Sequence, residues 1–123
     1  MPARRRTDPA AGRAAVGAWL RGEAARAETT TAVRFTLEEL ADVAPGNTVE
    51  VRVPPAGAVQ AVQGPRHTRG TPPNVVETDV GTWLGLATGR VQWADAVADG
   101  RVRASGERSD LSALLPLQAA RER

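Results

Sequence analysis

Apolar and polar positions along this chain repeat with two periods, and the change between them divides it. From Asp8 the spacing is helical: Ala11, Ala15, Val16, Trp19 and Leu20 share one face, with Arg13, Gly17 and Arg21 opposite. Asp8-Pro9 opens that helix, because Asp accepts from the free first-turn amides and Pro suits the first helical position. The pattern predicts a helix over 8–27, broken by Thr29-Thr30-Thr31, which offers a cap to a second helix. There Val33, Leu37, Leu40, Ala41 and Ala44 form a stripe against Arg34, Glu38 and Asp42, and Pro45-Gly46-Asn47 ends it.

The period then falls to two. Val49, Val51 and Val53 alternate with Glu50 and Arg52 up to the Pro54-Pro55 stop, which is a half-buried strand. A second strand is expected over 58–63, joined to the first by Pro54-Pro55-Ala56-Gly57, and Val75-Val76-Glu77 reads as a third. Asp79 caps a helix carrying Trp83, Leu84 and Ala87, stopped by Gly89; a short helix over 93–98 ends at Asp99-Gly100. Residues 101–106 alternate again, with Val102 and Ala104 on one side. Asp110 starts a last apolar turn of Leu111, Leu114 and Leu115, closed by Pro116. Two helices, three strands, two helices, a strand and a terminal helix make an α+β domain with a largely antiparallel sheet and its helices on one face. The expected layout is a basic tail at 1–7, one domain at 8–118 and a tail at 119–123.

Composition narrows the function classes. At 123 residues the chain holds one core, and 41% hydrophobic residues exclude disorder throughout. Only Trp19, Phe35, Trp83 and Trp93 are aromatic, so Val, Leu and Ala must fill the interior. All sixteen basic residues are Arg; removing Arg4, Arg5 and Arg6 leaves thirteen against fourteen acids, a body near −1. A basic tail on a near-neutral body is a weak nucleic-acid signal, and no nucleic-acid partner is expected. The absence of cysteine excludes disulfides and thiolate chemistry and fits a cytoplasmic protein. The apolar run 14–20 is too short to span a membrane.

Two stretches carry a resemblance. Residues 77–89, Glu-Thr-Asp-Val-Gly-Thr-Trp-Leu-Gly-Leu-Ala-Thr-Gly, form a capped helix ending in Leu-Ala-Thr-Gly. Residues 93–106 add a helix, an Asp-Gly turn and a strand ending in Gly. Together they resemble the sterol carrier protein type 2 superfamily, over about 48–117. With the Pro-Arg-His-Thr-Arg-Gly-Thr-Pro-Pro loop included, the chain is similar to a bacterial branch of sterol carrier family proteins. The resemblance implies helices over one face of a five-stranded sheet and a non-catalytic carrier without a cofactor. It also implies a fatty acyl or sterol ligand held between helices and sheet. Trp83, Leu84 and Ala87 would face that cavity, and Leu111, Leu114 and Leu115 would close its C-terminal end. The Arg/His loop and the Ala-rich first helix depart from the family pattern.

The loop at 64–74 holds the only histidine, two arginines and three prolines. Arg66, His67, Thr68 and Arg69 present an anion or partner surface, with guanidinium donors matched to carboxylate or phosphate. The alternative is bracing, Arg66 and Arg69 pairing with Glu77, Glu50 or Asp79 while the prolines stiffen the loop. Catalysis centred on His67 is a third reading, but no spacing supplies a triad. One histidine without cysteine is a poor metal site, and none is expected. Trp83 and Trp93 read either as cavity lining or as core. Trp19 would fasten the first helix to the domain or to a second subunit. A protein-interaction module that has kept the fold without the cavity is the alternative to a carrier.

Overall fold

The computed structural model describes residues 6–64 and 74–122. In chain order the elements are helix α1 (Pro9–Leu20), helix α2 (Arg26–Val43), strands β1 (Val49–Val53), β2 (Gly57–Ala61) and β3 (Asn74–Thr78), helices α3 (Val80–Thr88) and α4 (Trp93–Ala98), and strand β4 (Val102–Ser105). A single 3₁₀ turn, Ser112–Leu114, stands where the sequence suggested a terminal helix.

The start of α1 follows its sequence signal: Asp8 Oδ2 accepts from the Ala11 amide at 3.0 Å, with Pro9 behind it. Its end does not. The helix stops at Leu20, well short of 27, because Gly22 takes φ +73° and closes a Schellman motif. The amide of Glu23 donates to Ala18 O at 2.8 Å, and that of Gly22 to Trp19 O at 3.0 Å. The three threonines lie inside α2. Thr29 and Thr31 turn their hydroxyls back onto the carbonyls of Ala25 and Ala27, at 3.0 and 3.1 Å, so their polar groups are satisfied within a helix. The two helices pack closely because Gly12 has no side chain; a Cβ there would collide with the ring of Phe35.

The sheet has four strands in the order β2-β1-β3-β4. The outer pairings, β1–β2 and β3–β4, are antiparallel, as expected, whereas the central pairing of β1 with β3 is parallel. Hairpin logic fixes only β1–β2. The long connection after β2 brings the chain back to the start of β1, so Val49 stands beside both Ala61 and Asn74. Four strands are present among the described residues, where the resemblance implied five.

Alternation sorts the two faces. Val49, Val51, Val53, Ala61, Val76 and Val102 are buried against the helix layer with Phe35, Leu40, Trp83, Leu84 and Leu86. The other face carries Glu50, Arg52, Glu77 and Arg103, joined by Arg52–Glu50 and Arg103–Glu77 ion pairs at 2.5 and 2.7 Å. The helix layer stops short of the sheet's end: Ala104, level with buried Val76 by register, is exposed.

Residues 119–122, read as tail, lie against α3. Leu117 and Ala120 are buried, and the amides of Leu117 and Glu122 donate to Ala87 O and Thr88 O, both at 2.9 Å. These bonds serve carbonyls in the last turn of α3 that the helix itself leaves unpaired.

Candidate functional site

Arg66, His67, Thr68 and Arg69 lie outside the described residues, but the two ends of their loop are placed. Both reach Thr48, the residue before β1. Thr48 N donates to Val62 O at 3.1 Å, and a Cβ on Gly64 would stand 2.8 Å from Thr48 Oγ1. From the other side, the buried Asn74 side chain donates to Thr48 O at 3.0 Å and accepts from the Arg108 amide at 2.8 Å. Val62 holds φ +71°, an unusual conformation for a β-branched residue, and its amide bonds Ala44 O at 2.6 Å. The three carboxylates considered as braces for the loop all have partners elsewhere: Glu50 on Arg52, Glu77 on Arg103, and Asp79 on the amide and hydroxyl of Thr82.

The residues predicted to line a cavity separate into two groups. Trp83, Leu84, Ala87 and Leu111 are fully enclosed. The Trp83 indole donates to Thr36 Oγ1 at 2.8 Å, and that hydroxyl in turn bonds Ala32 O and Val33 O, so the buried polar atoms are satisfied. Trp93, Leu114 and Leu115 are half-buried and pack on the periphery of the same core. Trp19 is fastened to the domain itself: the Arg90 guanidinium lies 5.6 Å from its ring centre.

Two surface depressions stand out among the described residues. The smaller, about 460 Å³, runs along β4 and is lined by Val75, Val97, Val102 and Ala104 with the Glu77–Arg103 pair. Its charges are matched. The larger, about 650 Å³, opens where α2 meets the β1–β2 hairpin. Arg34, Leu37 and Glu38, three and four positions apart, share one face of α2 along it. Ala56, Gly57, Ala58 and Val59 form the hairpin side, and Arg6 and Thr7 a third wall.

Each wall is tied down. Arg34 Nε donates to Ala56 O at 3.0 Å, fixing the hairpin to the helix. Glu38 accepts from the amides of Arg6 and Thr7 at 3.3 and 3.1 Å, fixing the segment that leads into α1. Gly57 faces the helix side of the groove: a Cβ there would stand in ordinary contact, 3.6 Å from Leu37 Cδ1 and 3.8 Å from Arg34 Cγ. Among the described residues neither Arg6 nor Arg34 has a carboxylate partner.

Periodicity sets Leu37 in the apolar stripe of α2 and Arg34 on its polar face, with nothing to link either to residues 56–59. Only the packing of helix on hairpin joins them. No group of three or more metal-ligating side chains occurs among the described residues, and no helix there is long and apolar enough to cross a membrane.

These features define a small α+β domain with helices over one face of a mixed sheet and a groove between the two layers. The family model described as the bacterial SCP ortholog matches residues 25–117, from the start of α2 to Leu117, and the chain belongs to that family of sterol-carrier-like domains. A search of curated proteins finds no match.

Proposed function

We propose that this chain is a non-catalytic, lipid-carrier-type module that takes an apolar or acyl ligand in the groove between α2 and β2 and acts in the cytoplasm. The observation that carries the reading is the groove itself. It lies between helix layer and sheet, has Leu37, Ala56 and Val59 among its walls, and its volume of about 650 Å³ falls within the range of about 300–1,000 Å³ usual for small-molecule sites. Trp83, Leu84, Ala87 and Leu111 then serve as the packed interior behind it. Membership of a carrier-type family supports the same reading.

Native mass spectrometry of protein purified from its own host should show co-purified lipid, and a fluorescent fatty acid should be displaced competitively. Gly57→Leu, which fills the groove from the strand side, should abolish displacement while the circular dichroism spectrum is retained. A folded Gly57→Leu protein that binds as well as the parent would overturn the reading.

A protein-interaction module is the second reading, favoured by Val97, 40% exposed beside β4, the edge strand among the described residues. Val97→Glu should then release a co-purifying protein; retention of the same partners would count against it.

A further inference from the structure

We propose that the α2–β2 groove selects amphiphiles whose head is an oxyanion, carboxylate or phosphate, held by Arg34 and Arg6; this rests on the groove reading above. The groove carries two guanidinium groups and one carboxylate, Glu38. Glu38 balances one of those charges without an ion pair to either arginine among the described residues, its oxygens accepting the main-chain amides of Arg6 and Thr7. One net positive charge therefore faces the groove.

Donor supply points the same way. Arg34 commits only Nε, to Ala56 O, which leaves both terminal nitrogens able to donate. That bond also holds the side chain against the hairpin, so little rotamer freedom remains to be lost on binding. Arg6 and Thr7 line the opposite wall, and their printed bonds among the described residues are main-chain ones to Glu38, so the Arg6 guanidinium and the Thr7 hydroxyl are not committed there. A guanidinium presents paired donors matched to carboxylate and phosphate oxygens, and charge-assisted bonds of this kind are about twice as strong as neutral ones.

Apolar surface lies in the same depression, from Val59 and Ala58 on the strand, with the buried Leu37 of the helix behind them. A ligand that satisfies both parts has an anionic head and an apolar tail. The contrast with the groove along β4 is instructive, since Arg103 there is already closed on Glu77 at 2.7 Å and offers no unmatched cation.

Calorimetric titration of the full chain with decanoate, decyl phosphate, 1-decanol and inorganic phosphate, each below its micelle-forming concentration, tests the proposal. Decanoate or decyl phosphate should bind roughly tenfold or more tighter than decanol, the step expected of one charge-assisted contact. Whichever of the two binds tighter identifies the head. In Arg34→Gln and in Arg6→Gln, both changes at exposed positions, the ratio of anionic to neutral affinity should fall towards one. Equal binding of decanoate, decyl phosphate and decanol by the parent protein would overturn the head-group proposal while leaving the groove reading intact. Binding of inorganic phosphate as tight as that of decyl phosphate would also overturn it, marking a bare anion site. Failure of all four probes would overturn the groove reading, and the head-group proposal with it.

Discussion

Asn74 does more than end a strand. Its amide nitrogen and oxygen face different segments, the carbonyl of Thr48 before β1 and the amide of Arg108 after β4, in a site that is 3% exposed. Asparagine suits that place because it offers a donor and an acceptor on one short side chain. Asn74→Ala should cost about 1–3 kcal/mol in urea unfolding, since both partners lose their bond in a buried setting. Asn74→Asp should be worse, because it keeps the acceptor for Arg108 but sets a charge against the Thr48 carbonyl. Limited proteolysis between residues 64 and 74 should accelerate in both variants. In the sequence Asn74 was the last letter of a polar loop, and its role was not legible. Thr48, Asn74 and Arg108 are distant along the chain, and the parallel pairing of β1 with β3 and the antiparallel pairing of β3 with β4 bring them together.

At the scale of elements, caps and alternation were the legible signals. Asp8 and Asp79 cap α1 and α3 as their positions suggest, and β1 buries every second residue. These are local effects, decided by residues within one turn or one strand. The end of α1 differs from the expected 27, which rests on Thr29-Thr30-Thr31 as a break, because Gly22 closes the helix and the threonines fit inside α2. What holds α1 in place is also non-local. Arg90, just past α3, donates to Leu20 O at 2.6 Å, lies over Trp19, and forms a two-bond pair with Glu122, each bond 2.9 Å. The Arg90 bonds hold the Glu122 carboxyl below its ordinary value of 4.5. A depressed acid contributes stability above its unfolded-state pKa and loses it as pH falls through the folded-state value. The clasp should therefore open on acidification below about pH 4.5, and Glu122→Gln should flatten the acid limb of a plot of thermal midpoint against pH. An unchanged acid limb would show that the pair adds nothing, an outcome common for exposed ion pairs.

For the whole molecule, the family match at 25–117 leaves out α1 and the last residues, yet both are built into the core. Ala15, Val16 and Ala18 of α1, together with Ala120, are buried, and Arg90 ties the two segments together. Residues 25–117 expressed alone should unfold at lower urea than the full chain, because burying even one Val from α1 is worth about 1.5–3 kcal/mol. Equal midpoints would show the extensions to be dispensable. The sequence by itself determined the α+β class, the order of elements as far as β4, the capped starts of α1 and α3, and a resemblance to sterol carrier proteins that the family match bears out. Those properties rest on period, caps and short motifs, each written within about a dozen residues. The parallel central pair, the docked C-terminal segment, the Arg90 clasp and the α2–β2 groove were decided only by tertiary structure. Each joins residues distant in the chain, and their contact depends on how helix layer and sheet pack, which no local pattern encodes.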